Sequence, residues 1–412
     1  MVTFVRSPLI PLPQALESLL VAAETGLPTE TVATLDADGR VLAQDAVSEL
    51  HVPPLDNSAM DGYAVRCADV THSGAVFSVT QRIAAGSSGH PIEPFTCARI
   101  FTGAPTPPGA DAVVMQEDCH LVNDCEGGVR IETVPVAGQN IRRAGEDVAR
   151  GQVVLRAGQR LGPAELGLAA SIGLGSLSVA QRPRVALFST GDELVMPGDV
   201  APQAMRPGAI YNSNRFFLAA LLKRLGCSVT DFGIVPDRLD ATIAALAEAA
   251  HDHDLILTSG GVSVGEEDHI KPAVQSLGAL DLWQVAIKPG KPFAYGQVGS
   301  THFIGLPGNP VSSLVTFLLL VRPFLLRLQG VTDVAMQTVA ARADFSWPKA
   351  DKRQEFLRVR RNASGGLDLF PNQSSGVLTS LVWGDGLVDN PGGRTIAPGD
   401  TVQYVAFSEL LA

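Results

Sequence analysis

The fold is decided by LILTSGGVSVGEEDHIKP (255–272), followed by VAIKPGKPFAYG (285–296) and THFIGLPGNP (301–310). Three short apolar runs in this stretch, residues 255–257, 282–287 and 302–306, each stop at glycine, proline or small polar residues. Such runs are typical of parallel strands whose carboxyl ends open into loops. Because α/β sheets bind ligands at that edge, we expect these loops to form a binding site.

The sequence around this stretch, residues 181–330, alternates between apolar strand-like runs and helical patterns. This alternation predicts a central, doubly wound α/β domain with a parallel sheet. One helix is expected to start at Asn212 or Ser213 and to end at Gly226. The apolar residues 314–328 predict a core helix, because Arg322 and Pro323 interrupt a run too short for a bilayer.

Regions with different sequence patterns flank the central domain on both sides. Residues 51–145 contain short β-type runs between Gly/Pro clusters and predict a small β domain. Residues 1–50 and 146–180 predict one linking α/β region, with a helix over 14–25, into which the small β domain is inserted. Residues 331–412 alternate without helices and predict a C-terminal β barrel or sandwich. The fold class is therefore α/β plus β.

Charge and cysteine content limit the possible functions. The 412 residues carry a net charge of −11, so non-specific nucleic-acid binding is not expected. Only six lysines occur, and three of them, Lys271, Lys288 and Lys291, lie in the opening stretch. The five cysteines form no CxxC pair, and the N-terminus lacks a signal-peptide pattern. Reduced thiols and a cytoplasmic location are expected.

The loop after the first apolar run suits a phosphate group. Ser259, Gly260 and Gly261 allow the backbone to approach a ligand closely, and a helix beginning near residues 266–268 would point its positive end at the same place. The loop is not a GxxxxGK[ST] motif, and no GxGxxG follows a strand. P-loop NTPases and Rossmann dehydrogenases are therefore disfavoured.

Carboxylates near this loop could hold a divalent cation. Glu193 and Asp237 follow two other predicted strands, and Asp268 lies in the loop itself. Phosphoanhydride chemistry uses a divalent cation held by one or two carboxylates and the phosphates. Helix capping is the alternative role for Asp237 and Asp268.

Two further loops favour anion binding. Prolines make the turn between Lys288 and Lys291 rigid, and two ammonium groups held together favour an anion between them, although a plain surface loop is the alternative. Pro310 is placed at the start of a helix with serines in its first turn. No Ser/His/Asp or Cys/His arrangement is present, so covalent catalysis is not expected.

Polar residues also cluster in the predicted small β domain. Asp56, Asn57, Ser58 and Asp61 lie within six positions, more short polar side chains than a simple turn requires. A second loop, Arg142, Arg143 and Asp147, combines guanidinium groups with a carboxylate. A structural salt bridge and a ligand-binding role are equally open for this second loop.

A family resemblance rests on eight motifs in order. They are PPLDNSAMDGYAVR (53–66), IFTGAPTPPGADAVVMQED (100–118), RRAGED (142–147), STGDEL (189–194), IYNSN (210–214), LTSGGVSVGEED (257–268), KPGKPFAYG (288–296) and GLPGNPVSS (305–313). Together they resemble the molybdopterin molybdenumtransferases, also seen as the E domain of gephyrin-like proteins. The central domain alone is also similar to molybdopterin adenylyltransferases.

The resemblance implies an activity and a set of site residues. Molybdenum would be transferred from molybdate to adenylylated molybdopterin with Mg²⁺, and AMP would be released. The matching motifs place Asp61, Thr102 and Asp147 in the first half of the site. In the second half they place Glu193, Asp237, Asp268, Lys288, Pro307 and Pro310, with looser matches at Arg358 and Ser375.

The residues and the resemblance together give each group a role. Glu193, Asp237 and Asp268 are expected to hold Mg²⁺, the Gly260 and Gly261 amides to hold phosphate, and Lys288 with Arg358 to retain molybdate or a terminal phosphate. Relatives often have lysine where this chain has Gln284, which removes one expected anion contact.

The resemblance also implies partners and leaves two other functions open. It predicts a homodimer whose site is shared between subunits, and contact with the molybdopterin adenylyltransferase, but no nucleic acid or membrane. The alternatives are adenylyltransferase activity and a non-catalytic peptide-binding scaffold like the gephyrin E domain. Molybdenum and tungsten are not distinguished, because the two oxyanions share charge and have nearly equal size.

Overall fold

A computed structural model describes residues 9–23, 26–122, 127–236, 238–261 and 269–411. The first unit comprises β1 (Leu9–Ile10), α1 (Leu12–Ala22), β2 (Thr29–Ala33) and β3 (Ala46–Val47). After residues 48–152 the chain returns with β12 (Val153–Leu155), α2 (Pro163–Ser171) and β13 (Ser176–Ala180). β13 pairs antiparallel with β2, and β12 with β3. These pairings bring the two segments together as one linking region, and the chain between them forms the inserted small β domain.

The inserted domain consists of short strands. They are β4 (Asn57–Ser58), β5 (Gly62–Val65), β6 (Ala75–Ile83), β7 (Thr96–Ile100), β8 (Ala112–Met115), β9 (Cys119–Val122), β10 (Gly128–Ile131) and β11 (Ile141–Arg142). Six of them form a sheet in the order β8-β5-β7-β6-β10-β9, and β4 pairs with β11. Alternate residues enter two different cores: Tyr63 and Val65 pack in one, and Ala64 packs in the other.

The central domain alternates strands and helices. The strands are β14 (Arg184–Thr190), β15 (Leu194–Val195), β16 (Ile210–Tyr211), β17 (Ser228–Val235), β18 (Leu255–Ser259), β19 (Gly278–Val285), β20 (Ile287–Lys288), β21 (Pro292–Val298) and β22 (Thr301–Leu306). The helices are α3 (Asn214–Arg224), α4 (Leu239–Asp252), α5 (Ile270–Leu277), α6 (Pro310–Thr316) and α7 (Arg322–Leu328). The predicted helix start near residues 266–268 lies outside the described residues.

Helices cover both faces of the central sheet. On β18, Leu255 and Leu257 pack into one core and Ile256 into the other, which explains why the strand is an uninterrupted apolar run. α6, a π-helical turn over Phe317–Val321 and α7 form one continuous helix. This helix, Pro310–Leu328, is long and apolar enough to cross a membrane, but 83% of it is buried inside the protein. It is the core helix that the sequence predicts.

The central sheet differs from the prediction in one respect. Its order is β1-β19-β21-β22-β18-β14-β17, and β22, β18, β14 and β17 are parallel as expected. β21 is antiparallel to both of its neighbours, so the sheet is mixed. The cause is the tight turn at residues 299–300, because a two-residue connection joins antiparallel strands only. The predicted strand over residues 282–287 is also split between β19 and β20.

The C-terminal unit is a closed barrel. Its elements are β23 (Val339–Ala343), β24 (Gln354–Arg361), β25 (Gly366–Leu369), α8 (Thr379–Trp383), β26 (Gly386–Asn390), β27 (Thr401–Ala406) and α9 (Phe407–Leu411). The strands follow the order β24-β25-β23-β27-β26, and β26 pairs back to β24. Closure leaves no free edge in this ring. β20 of the central domain adds to the barrel beside β24, so the two domains share a sheet.

The four described cysteines are free. Burial raises the pKa of the Cys97 and Cys227 thiols to about 12, which keeps them protonated and unreactive at neutral pH. This agrees with the reduced thiols expected from the sequence.

Candidate functional site

A cavity of about 790 Å³ opens at the carboxyl ends of β14, β18 and β22. Its walls come from three loops that follow these strands. They include Thr190, Glu193, Ser259, Gly261, Pro307 and Pro310. Six predicted site residues therefore face one space: Glu193, Ser259, Gly260, Gly261, Pro307 and Pro310. The reason is geometric, since parallel strands carry their following loops to the same edge.

Two glycines give the cavity its floor. Gly260 and Gly261 have φ of +97° and +69°, a backbone conformation that other residues adopt only with strain. A Cβ on Gly261 would lie 2.5 Å from Ile270 Cγ1, and a Cβ on Gly260 would lie 3.0 Å from the Thr190 carbonyl oxygen. Both the conformation and the space therefore require glycine, and the Gly260 N–H donates to the Leu306 carbonyl oxygen at 3.0 Å.

Asn214 joins two of the cavity loops, a role that the sequence reasoning missed. Its Nδ2 donates to Ser259 Oγ at 2.8 Å and to the Gly308 carbonyl oxygen at 2.7 Å. Asn212 provides the helix cap instead, because its Oδ1 accepts the Arg215 N–H at 3.3 Å. The pair of asparagines in YNSN could have indicated this role, because capping the helix requires only one asparagine and leaves the other for a different contact.

Several buried polar atoms beside the cavity have no hydrogen-bond partner. They are Ser189 Oγ, Thr190 Oγ1, Asn212 Nδ2 and Thr258 Oγ1. Thr190 and Asn212 also belong to the cavity lining. Such atoms are costly in a folded protein. Their concentration at one place suits a polar ligand better than an apolar one.

The carboxylates of the predicted metal site are only partly described. Glu193 is exposed at the rim of the cavity, and its carboxylate lies against the backbone of Gly191. Asp237 and Asp268 lie outside the described residues. Within the described ranges, no group of three His, Cys, Asp or Glu side chains is placed to hold a metal ion. Glu193 offers the oxygen ligand that a hard cation prefers, and it fits the edge of such a site.

The loop from Lys288 to Pro292 runs along the junction of the central domain and the barrel. Lys288 Nζ lies 3.0 Å from Glu355 Oε1 and 3.4 Å from Asp351 Oδ2. Lys288 is not among the described residues that line the cavity, whereas Pro292 is. Hydrogen bonds from Arg353 hold the pKa of Asp351 well below its usual range, and Lys288 contributes to the shift. The sequence reasoning missed Glu355, the one acidic residue of β24 (Gln354–Arg361).

The barrel contributes the far wall of the cavity. Gly376 and Leu378 line it, and the Ser375 carbonyl oxygen accepts the Val311 N–H at 3.0 Å. Arg358 is 1% exposed, and its guanidinium donates to Ser380 Oγ and to the carbonyl oxygens of Phe356 and Ser374.

Arg358 has an unusual electrostatic environment. Burial lowers the pKa of its guanidinium to about 10. No carboxylate lies within ion-pair distance of Arg358 in the described part of the chain. A buried charge without a counter-charge is unfavourable, so an anion nearby would stabilise it.

Asp61 and Thr102 meet in the small β domain. Asp61 Oδ1 accepts hydrogen bonds from the Thr102 N–H at 2.8 Å and from Thr102 Oγ1 at 2.7 Å. These two bonds lower the pKa of Asp61, so the carboxylate stays ionised. The second Asp61 oxygen accepts no hydrogen bond from a described residue.

In the loop that contains Arg142, Arg143 and Asp147, Arg143 forms a salt bridge with Asp56 and not with Asp147. Arg143 NH1 lies 2.6 Å from Asp56 Oδ2, and the Ala144 N–H donates to Asp56 Oδ1 at 2.8 Å. Asp147 is exposed, and only its amide is bonded, to the Val52 carbonyl oxygen. None of Asp61, Thr102 and Asp147 is among the described residues that line the cavity. These three residues therefore do not contribute to the described walls of this cavity.

Three family models match successive parts of the chain. They are the MoeA N-terminal region (domain I and II) over residues 10–173, a probable molybdopterin binding domain over 186–327, and the MoeA C-terminal region (domain IV) over 340–407. The second match contains the cavity loops, and the first contains the Asp61–Thr102 contact. Both halves of the predicted site thus lie within matched regions.

Whole-chain comparisons agree with these models. The chain is 43% identical to a molybdopterin molybdenumtransferase of Haemophilus influenzae, over 78% of either chain. It is 37% identical to molybdopterin molybdenumtransferase 2 of Mycobacterium tuberculosis, over 92% of this chain and 93% of the relative. A molybdopterin biosynthesis MoeA protein of Pyrococcus horikoshii superposes with a TM-score of 0.84 at 27% identity, covering 97% of this chain and 100% of the other.

Proposed function

Because the chain belongs to the molybdopterin molybdenumtransferase (MoeA) family of molybdenum cofactor biosynthesis, we propose that it inserts molybdenum from molybdate into adenylylated molybdopterin. A molybdate oxygen or water attacks a phosphorus atom of the phosphoanhydride, the bridging P–O bond breaks as the new P–O bond forms, and AMP is released. The observation that carries this proposal is the cavity itself, which lies within the part of the chain matched by a probable molybdopterin binding domain.

The cavity loops bind the phosphate groups of the substrate. Gly261 lines the cavity and its amide is the proposed phosphate donor, whereas the Gly260 N–H already donates to the Leu306 carbonyl oxygen at 3.0 Å. Pro310 begins a helix whose positive end faces the same space. Asn214 holds the Ser259 and Gly308 loops at a fixed separation. Binding energy is therefore not spent on ordering these loops.

Mg²⁺ is part of the proposal, with Glu193, Asp237 and Asp268 as its protein ligands. Bound there, the ion would supply charge neutralisation at the phosphoanhydride. Glu193 supports this role because its carboxylate is exposed at the cavity rim. The assignment of Asp237 and Asp268 as Mg²⁺ ligands rests on the sequence motifs alone.

The oxyanion is held between the barrel and the Lys288–Lys291 loop. Arg358 supports this placement, because its buried charge has no carboxylate partner in the described part of the chain. Its guanidinium donates to the Ser374 carbonyl oxygen, next to Ser375, and Ser375 contacts the first turn of α6 at the cavity. Molybdate and tungstate would both fit this charge arrangement.

We further propose a homodimer that completes each site with the small β domain of the partner. Exposed apolar side chains belong to both halves: Leu55 and Met60 precede Asp61 in the chain, and Ile210 lines the cavity. Contiguous exposed apolar surface favours association. A cytoplasmic location and contact with a molybdopterin adenylyltransferase complete the proposal. Light scattering on the purified protein gives its mass in solution. We expect the mass of a dimer, and the mass of a monomer would refute this proposal.

The test is AMP release from adenylylated molybdopterin by the purified full-length protein with Mg²⁺ and molybdate. Glu193→Gln keeps the side-chain size but removes the charge, and we expect at least a tenfold slower release, on the order of one lost charged contact. Asp192→Asn is the matched control, because Asp192 is an exposed neighbouring carboxylate outside the described cavity lining.

Three outcomes would contradict the proposal. Equal rates for Glu193→Gln and wild type would remove Glu193 from the metal site. Consumption of ATP and molybdopterin without any molybdate dependence would indicate adenylyltransferase activity. A protein that binds the gephyrin-type receptor peptide and releases no AMP would be a scaffold. Metal analysis of the product after parallel reactions with molybdate and tungstate identifies the metal inserted.

A further inference from the structure

The loop that carries Lys288 and Lys291 is built into the barrel sheet. β20 pairs in parallel with β24, with Ile287 opposite Gln354 and Lys288 opposite Glu355. The Gln354 N–H also donates to the Ala286 carbonyl oxygen at 3.0 Å. The position of the loop is therefore set by backbone hydrogen bonds to a different domain. Side-chain contacts across this strand pair decide what each lysine can bind.

Glu355 is a buried carboxylate at the centre of these contacts. It is 1% exposed, and it accepts hydrogen bonds from Lys288 Nζ at 3.0 Å, Trp347 Nε1 at 2.8 Å and Asn390 Nδ2 at 3.4 Å. Lys288 is the cation among these three donors. Because an unpaired buried charge is strongly unfavourable, Glu355 requires the Lys288 ammonium to stay beside it.

Lys288 has a second acidic neighbour. Asp351 Oδ2 lies 3.4 Å from its Nζ, and Arg353 pairs with the same Asp351 oxygen at 2.9 Å. The Trp347 ring lies beneath the ammonium, 5.9 Å from Nζ to the ring centroid. An ammonium group has three N–H donors, and two of them are directed at carboxylates here. One donor remains for a ligand.

Lys291 differs from Lys288 although the two belong to one rigid turn. No Asp or Glu oxygen within the described ranges lies in ion-pair distance of the Lys291 ammonium. Lys291 directly precedes Pro292, which lines the cavity. The turn therefore carries one ammonium with two acidic neighbours and one ammonium with none among the described residues.

We propose that Glu355 is a positioning residue that clamps Lys288, and that Glu355 and Asp351 together weaken the hold of Lys288 on a tetrahedral oxyanion, so that Lys291 is the main anion-binding lysine. This inference rests on the proposed function, because it concerns the oxyanion of that reaction. An anion at the free donor of Lys288 meets four nearby charges that sum to zero, because Glu355 and Asp351 balance the Lys288 ammonium and the Arg353 guanidinium. Lys291 exerts its attraction without that opposition.

The clamp is tested without any ligand. Thermal unfolding is measured for wild type, Lys288→Met, Glu355→Gln and the double variant. Each single change leaves a buried group without its partner, so we expect the double variant to lose less stability than the sum of the two single losses. Additive losses would show that Lys288 and Glu355 do not depend on each other, and would overturn the clamp.

The effect on anion binding is tested by titrating molybdate into the full-length protein, with inorganic phosphate as a parallel arm. Asp351→Asn removes one repelling charge, and we expect about threefold tighter molybdate binding. Lys291→Ala is expected to weaken binding about tenfold and Lys288→Met less than that. Asp385→Asn is the control, since Asp385 pairs with Arg361 elsewhere on the barrel.

The outcomes separate this inference from the proposed function. Unchanged or weaker binding in Asp351→Asn, or a larger loss in Lys288→Met than in Lys291→Ala, would overturn the division between the two lysines. Equal gains for phosphate and molybdate would show that the carboxylates regulate tetrahedral oxyanions in general. Absence of molybdate binding by the wild type would refute the proposed oxyanion site, and the division of roles with it, while the unfolding cycle still decides the clamp.

Discussion

The central cavity and the Asp61–Thr102 contact are two halves of one proposed site, and they are built in different ways. The cavity is formed by backbone: Gly260 and Gly261 touch Thr190 and Ile270 so closely that no side chain fits. The small β-domain half is formed by exposed side chains, with Asp61 held by two hydrogen bonds from Thr102. One half depends on shape and the other on charge.

This difference determines how each half responds to substitution. A buried backbone site cannot relax around an added atom, because its neighbours are already in contact. An exposed carboxylate can be replaced by an isosteric amide without moving the loop, because the amide oxygen accepts the same hydrogen bonds. Substitutions in the cavity should therefore damage geometry, and those in the small β domain should damage charge alone.

The largest expected effect is that of Gly261→Ala. The added Cβ meets Ile270 Cγ1 at 2.5 Å, so the loop must move. We expect AMP release to fall by about 100-fold or more, the size of effect that a displacement of about 1 Å produces in a positioned site. Steady-state kinetics on the purified variant measures the loss.

Gly299→Ala is the matched control for backbone strain. Gly299 has φ of +60° but open space around its Cβ position, in the turn between β21 and β22. We expect a loss of stability of about 1–2 kcal/mol, as for any alanine in this conformation, and no loss of activity. Similar activity losses in both variants would refute a steric requirement at Gly261.

The next effect is that of Asp61→Asn, which should lower AMP release about tenfold because one charged contact is lost. The melting temperature should not change, since the amide oxygen can accept both Thr102 bonds. Thr102→Val serves as the comparison, because it removes one of these bonds and leaves the Asp61 charge in place. A lower melting temperature for Asp61→Asn would show that Asp61 is structural.

Mixing the two kinds of variant tests whether the halves come from different subunits. In a mixed dimer of Asp61→Asn and Gly261→Ala, a shared arrangement leaves one site with both halves intact. Random exchange of subunits should then restore about a quarter of the wild-type activity, because half of the dimers are mixed and each has one intact site. A mixture no more active than the average of the two variants would show that each site lies within one subunit.

The smallest effect concerns stability at low pH. The Ala144 N–H and Arg143 lower the pKa of Asp56 in the folded protein below its ordinary 3.8. Ionised Asp56 therefore stabilises the fold above pH 3.8, and this contribution disappears as pH falls through the lower folded pKa. Both side chains are substantially exposed, so Asp56→Asn should cost less than about 1 kcal/mol at pH 7.

Thermal unfolding from pH 7 to pH 2 checks this sign. The difference between Asp56→Asn and wild type should be constant near neutral pH and should disappear below about pH 4, as a carboxylate is protonated. Adding Arg143→Gln to Asp56→Asn should cause little further loss, because the pair is already broken. A difference that stays constant down to pH 2 would assign the effect to packing.

Much of the architecture could be predicted because it follows from local patterns. The apolar run at residues 255–257 is uninterrupted because β18 is covered on both faces. Residues 314–328 are mostly apolar, with Arg322 and Arg327 as the charged exceptions, because that helix is largely buried. The cavity was predictable for the same reason, since strand ends followed by Gly and Pro mark the edge where ligands bind.

Other features depend on partners that lie far apart in the chain. The sequence of its own loop predicts that Lys288 binds an anion. In the structure Lys288 contacts the carboxylate of Glu355, 67 residues later in the chain. Arg143 was expected to pair near Asp147, but its partner Asp56 precedes it by 87 residues. Nothing in the local spacing of either residue indicates these partners.

The sequence by itself determined the order of the domains, the β/α alternation and the glycines and prolines of the cavity loops, because hydrophobic period and backbone restriction act over a few neighbouring residues. Only the tertiary structure decided the Asn214 link and the pairing of Lys288 with Glu355. These features follow from which surfaces meet when the domains pack. Ion pairs and hydrogen bonds depend on the distance between two groups in space, and not on their separation along the chain.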